Sequence, residues 1–175
     1  MIKEITTFVA QRSVAAGWHI AQNWIIGTNL FAGHVPVKVG SPAVAIPVRY
    51  LAVLENAGGA VLSNVGGVVA TIPPSDPLDP DYGCASWPKY IEKAVQLLNR
   101  AKSYFVAHQD AEELYEAFHN TGGWKLPQVA GGPKYTAIVI DAYGPPAPVE
   151  NPGASGLFIF STNYKWAIEE GWCEN

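Results

Sequence analysis

The stretch Ala94–Asn120, AVQLLNRAKSYFVAHQDAEELYEAFHN, decides how the rest of the chain is read. Its second part has a helical period. Tyr104, Ala107, Ala111, Leu114, Tyr115 and Phe118 recur at steps of three and four, which gathers them on one face. Gln109, Asp110, Glu112, Glu113 and Glu116 fall mostly on the other. Lys102 or Ser103 stands where such a helix starts, and Thr121-Gly122-Gly123 where it stops. The first part admits two readings. Ile91, Val95 and Leu98 fit a helical step, while Val95 and Leu97 set against Gln96 and Leu98 fit a strand. A strand over Ala94–Arg100 that runs straight into the helix is favoured, because one continuous helix from Pro88 would exceed about thirty residues without a cap, long for a small domain.

Working outward toward the N-terminus, Ile2–Ala16 reads as an amphipathic helix. Ile2, Ile5, Phe8, Val9 and Val14 form its apolar face, Lys3, Glu4, Gln11 and Arg12 lie opposite, and Gly17 is a plausible stop. Trp24 to Phe31 reads as a strand interrupted by Gly27. Ala43–Glu55, AVAIPVRYLAVLE, is the strongest strand candidate, with Pro47 at an edge or bulge. Asn56 to Gly59 signals a turn, and Ala60–Ser63 a second short strand. Val65–Trp87 is rich in Gly, Pro, Ser and Asp, and reads as a long loop or contact arm that orders against a neighbour.

Toward the C-terminus, Gly122–Lys134 reads as a loop and Tyr135–Tyr143 as a good strand. Gly144 to Pro148 reads as a stiff extended segment, and Gly156–Tyr164 as the last strand. The tail, Lys165–Asn175, reads as a short helix or an arm. The order describes one α+β domain over residues 1–175: a mixed, mostly antiparallel sheet of about five strands with helices packed on one face.

Composition narrows the classes. The 175 residues suit one domain of about 100–200 residues, with enough core to fold without disulfides or metal. The apolar fraction is 49 % and the charged fraction only 15 %, so either a partner covers part of the surface or the six Trp, eight Tyr and six Phe fill the core. The net charge of −4 and the scattered Lys and Arg leave no nucleic-acid footprint. Met1-Ile2-Lys3-Glu4 lacks the apolar run of a leader, and no stretch has the roughly 18 apolar residues of a span. With Cys84 and Cys173 alone, a soluble cytoplasmic product is the expectation.

Catalytic and metal patterns are weak. Cys84 in GCASW has no base at a telling spacing among His19, His34, His108 and His119, and reads as a loop or core thiol. His108 and Glu112 lie four apart on the helix, where a solvated face is the simpler reading than a shared metal. Asp76, Asp79 and Asp81 lack the spacing and closing Glu of a calcium loop. The Gly pairs are not followed by Lys-Ser or Lys-Thr. No catalytic residue, cofactor or metal is expected. A sugar-binding module with exposed Trp is the rival from another class.

Several pieces taken in order resemble the tail terminator (tail completion) proteins of long-tailed bacteriophages. Phe31-Ala32-Gly33-His34-Val35-Pro36 matches a strand end of F-x-G-x-x-P type, and PVRYLAVLENAGG a strand ending in a turn. Val95-Gln96, Arg100, Ser103-Tyr104, Ala107 and Ala111 match the strand that enters a helix, and Phe160–Tyr164 (FSTNY) the closing strand. Val65–Trp87 and the tail after Lys165 lie outside the resemblance.

The resemblance implies a virion structural protein rather than an enzyme, assembled in the host cytoplasm and resident in the tail neck. It implies a homohexameric ring on the head-proximal end of the tail tube. That ring ends tube polymerisation and joins the tail to the head-completion or connector protein, with DNA passing through its lumen and no membrane involved. Heterologous ring contacts need two patches per subunit. Pro73, Pro77, Asp79, Tyr82 and Trp87 in the long loop, with Pro145, Pro146 and Pro148, are the candidate interface residues. Asp110, Glu112, Glu113 and Glu116 are candidates for an acidic lumen that DNA would slide past, an outward solvated face being the simpler alternative. Another tail or neck component, a tube subunit or head-completion protein, is the nearest alternative.

Overall fold

The computed structural model describes residues 1–33, 47–55, 89–129, 131–132, 134–150 and 156–170. Among them run α1 (Ile2–Arg12), β1 (Leu30–Ala32), β2 (Tyr50–Glu55), β3 (Lys89–Ala101) and α2 (Tyr104–Phe118). β4 (Trp124–Lys125), β5 (Tyr135–Ala142), β6 (Ala147–Glu150) and β7 (Phe158–Glu170) follow. The strands form one curled sheet in the order β1-β2-β3-β7-β5-β4, with β6 paired to β7 beside the end of β5. Only β1 and β2 pair in parallel. Both helices cover one face, so the fold is the expected α+β sandwich.

The strand reading of the deciding stretch holds. β3 alternates: Val95, Leu97, Asn99 and Ala101 turn toward the helices and are buried, while Gln96, Leu98 and Arg100 turn to the opposite face and are half-buried. β3 also starts earlier than expected, at Lys89, and pairs with β7 along its whole length, from Lys89 opposite Glu170 to Ala101 opposite Phe158. The chain then reverses over Lys102-Ser103 into α2, whose Ala107, Ala111, Leu114 and Phe118 bury against the sheet. Ala at two of these positions brings the helix backbone close to the strands; Phe118 fills the wider end against Phe8, Tyr164 and Trp166. Full burial of such a ring contributes about 2–3 kcal/mol.

Four expectations need correction. The N-terminal helix stops at Arg12 rather than Ala16. Ser13 donates to the Ala10 carbonyl (2.8 Å) and accepts the Trp24 N–H (3.0 Å), which turns the chain back, and Gly17 follows at φ +89°. Val14 is therefore off the helix and exposed, whereas Glu4 is buried. Trp24–Phe31 is strand only at its end: Ile25 and Ile26 enter a turn closed on Asn29, Ile26 makes one isolated bridge to Leu30, and ladder pairing begins at Leu30–Ala32.

The tail is neither helix nor arm as far as Glu170. β7 runs on through Lys165–Glu170 because Trp166 and Ile168 continue its inward alternation. Among the described residues the sheet has seven strands, two more than the roughly five expected. β4 and β6 are only two and four residues long, too short for a periodicity to register, and they lie inside segments read as a loop and a stiff extension. Of the Ala43–Glu55 candidate, Tyr50–Glu55 is strand. The expected strand Ala60–Ser63 and the loop Val65–Trp87 lie outside the described residues.

Candidate assembly surface

The N-terminal end of α2 presents the largest exposed ring of the described residues. Phe105 is 81 % exposed, and Tyr104 beside it is also exposed. Both rings open the first turn of α2, directly after the tight β3–α2 turn. Tyr104 packs edge-on against Phe105 (5.8 Å between centroids), Phe158 (5.8 Å) and Phe160 (5.1 Å) and stacks on His108 (6.1 Å). His108 in turn rests on Phe160 at 5.0 Å. Phe160 is buried, so the exposed rings rest on a fixed floor.

Next to this aromatic end lies β6. Pro148 stands opposite Phe160 in register, so it shares the helix-bearing face. Pro145, Pro148 and Val149 are exposed, and Pro146 is half-buried. Among the described strands β6 pairs with β7 alone and is an edge. Proline on such an edge cannot donate, which blocks indefinite strand-to-strand addition while leaving an apolar surface. Of the eight interface candidates, Pro145, Pro146 and Pro148 thus lie near the aromatic end. Pro73, Pro77, Asp79, Tyr82 and Trp87 lie outside the described residues.

The four acidic candidates do not form one face. Asp110 is 2 % exposed and points into the domain, where Arg49 grips it. Burial pushes its carboxyl above the usual range, the Arg49 pair pulls it back, and Glu113 adds a small upward push. Glu113 is half-buried and structural: it accepts the Ala21 backbone N–H (2.8 Å) and the Gln109 amide (2.9 Å). Glu112 faces His108 at 3.3 Å, and Glu116 is exposed. The helical period alone put Asp110 with the others. The deciding signal, Arg49 two residues ahead of Leu51 on the inward side of β2, is visible only once the strands are paired.

The far side of the sheet carries mixed charge toward β7 and β5, whereas Phe31, Tyr50 and Ala52 on its β1–β2 half are buried. Lys165 donates to Glu92 (2.8 Å) and lies opposite Asp141, and Gln96 donates to Ser161 (2.8 Å). Arg100 donates to the Tyr50 hydroxyl (2.6 Å). The exposed Tyr143 and Val139 stand at its β5 margin. No strongly basic or acidic patch results.

Among the described residues no group of three or more His, Cys, Asp and Glu is placed to hold a metal, and no helix is long and apolar enough to cross a membrane. Cys84, Cys173 and the Asp76–Asp81 run lie outside the described residues. Trp24 and Trp166 are buried, and Trp18 and Trp124 are half-buried against each other and Arg12. No family model, curated protein or solved structure matches this chain.

Proposed function

We propose that this chain is a virion structural protein of the tail-terminator type. It forms a ring, a homohexamer, on the head-proximal end of the tail tube of a long-tailed bacteriophage, ends tube growth there and offers its other side to the head-completion or connector protein. Its role is assembly rather than catalysis. The observation that carries the reading is β3 entering α2 directly, with Gln96, Arg100, Ser103, Tyr104, Ala107 and Ala111 in the order that the resemblance requires.

The physical roles of these residues are consistent with that reading. Gln96 and Arg100 brace the sheet face away from the helices, Ala107 and Ala111 seat the helix, and Ser103-Tyr104 begin the helical turn that carries the exposed Phe105. An exposed aromatic end beside a proline-blocked edge suits a subunit that docks side to side and stops. In such a ring Glu112 and Glu116 remain lumen candidates, where carboxylates let DNA slide past; Asp110 does not.

The test adds the purified protein to a polymerising tail-tube subunit and measures tube length and end occupancy by negative stain. A terminator shortens the tubes in proportion to its concentration and decorates one end. Co-assembly along the tube wall would make the chain a tube subunit instead. Tubes of unchanged length and bare ends would reject the reading.

A further inference from the structure

Where α2 packs on β3 and β7, two polar side chains interrupt the apolar face. On β3, Asn99 stands between Leu97 and Ala101 in the inward alternation; on β7, Thr162 stands between Phe160 and Tyr164. They fall on the boundary between two apolar clusters. Leu51, Leu97, Leu114 and Tyr164 belong to the larger cluster, and Ala101, Ala107, Ala111 and Phe160 form the smaller. In the β3–β7 register Leu97 faces Thr162 and Asn99 faces Phe160, so Asn99 and Thr162 are diagonal neighbours on one face.

Asn99 is 0 % exposed, and among the described residues neither the nitrogen nor the oxygen of its side chain has a hydrogen-bond partner. An amide carries two N–H donors and an accepting oxygen, so its whole complement is unused. Thr162 is also buried, and its hydroxyl makes no more than a marginal contact with that of Tyr164. A hydroxyl donates once and accepts twice, which leaves Thr162 capacity for another partner. Left dry, both groups would forfeit the hydrogen bonds they make with water in the unfolded chain. Diagonal neighbours across an antiparallel pair lie about 7–8 Å apart at the backbone. That is far for two short side chains to bond directly, and near enough for two hydrogen bonds that meet at one water. The helix above contributes Ala107 and Ala111 to the boundary, whose methyl groups take little room. An ion does not suit the place. Asn99 has Leu51 and Phe160 as its strand partners, and the buried carboxylate of α2, Asp110, is already paired with Arg49.

We propose that Asn99 and Thr162 hold an internal water molecule at the boundary of the two clusters, the Asn99 amide donating to it and the water donating to the Thr162 hydroxyl oxygen. The water belongs to the native fold and ties β3 to β7 through side chains as well as through the ladder. This inference is independent of the assembly role proposed above.

The test records Overhauser contacts between water and the isotope-labelled wild-type protein, in the laboratory and rotating frames. It adds urea unfolding of Asn99→Leu, Thr162→Val and the double variant. The Asn99 side-chain amide protons are expected to show a dipolar contact to a long-resident water. Each single variant is expected to lower the folding constant about fivefold. The double variant is expected to lose less than the two together, because the second substitution has no bridging water left to remove. A wild-type spectrum without a water contact at Asn99 overturns the proposal. So does an Asn99→Leu protein more stable than wild type, which would mean that the amide is dry, or a double variant whose losses are additive. Should a variant fail to fold, the wild-type spectrum alone decides.

Discussion

Arg49 and Asp110, 61 positions apart in sequence, close a two-pronged ion pair that pins the start of β2 to the second turn of α2. The Arg49 Nε donates to Asp110 Oδ2 at 2.8 Å, and its terminal nitrogen donates to the other carboxylate oxygen. The partners are unequal. The Asp110 side chain is 2 % exposed and that of Arg49 is 40 % exposed. Removing the arginine strands a buried carboxylate, whereas removing the carboxylate leaves an arginine that can turn to water.

Arg49→Met should therefore cost about 2–3 kcal/mol at neutral pH, and Asp110→Asn about 1 kcal/mol, as read by urea unfolding. The pH dependence has a definite sign. Asp110 is raised by burial even with Arg49 present, and losing Arg49 raises it further. A carboxyl raised in the folded state favours folding when protonated, and that contribution fades as pH rises through the folded value. The deficit of Arg49→Met should shrink as pH falls from 7 toward about 4, the ordinary aspartate value. A deficit that grows in acid would refute this account of the pair.

Tyr164 behaves similarly at the other end of the pH scale. Burial pushes its phenol well above the usual tyrosine value, and the neighbouring Thr162 hydroxyl pulls weakly the other way. Folding holds the neutral form, so stability is intact below about pH 10 and falls as ionisation of the unfolded chain begins to compete. Tyr164→Phe should change stability at pH 7 by no more than about 1 kcal/mol, the worth of a marginal bond to Thr162, and should flatten the alkaline decline. Thermal midpoints from pH 7 to 11 check both points.

Gly122 is fixed by contact with β5. A Cβ at that position would lie 1.9 Å from the Ile138 carbonyl oxygen, where β5 carries its register shift and the Gly123 N–H donates to the same oxygen. Gly122→Ala should cost more than about 2 kcal/mol by displacing the Thr121–Lys125 segment from the sheet. Loss of amide protection confined at first to that segment, in hydrogen exchange, is the expected signature.

Much of the fold was legible because α2 and β3 obey their periods and because the change from one to the other falls at Lys102-Ser103. What escaped was decided by tertiary partners. Trp24 and Ile25 have strand-forming side chains, yet the Ser13 hydroxyl and the Asn29 side chain claim their backbone N–H groups. Trp166 and Ile168 lie among charges that suggested a polar tail, but pairing with β3 and β5 keeps them inside. Asp110 sits on a polar stripe by period and becomes a core residue because Arg49 meets it. The exposed end at Phe105 was not separable from the helix face by pattern alone. It shows only once the helix is packed on the sheet.

Phe105→Ser isolates that surface from the fold. With the ring 81 % exposed, its removal should change stability by no more than about 0.5 kcal/mol while weakening self-association or tube docking. Unfolding on substitution would assign Phe105 to the core instead.

The central claim is that the chain closes into a ring and stops growth. The most direct measurement is light-scattering mass over a wide concentration range, with negative-stain images of the same fractions, alone and after mixing with purified tail tubes. The account predicts closed rings of one size, either free in solution or formed only on tube ends. Open-ended tubes of this protein alone, or a monomer that leaves the tube ends bare, would contradict it.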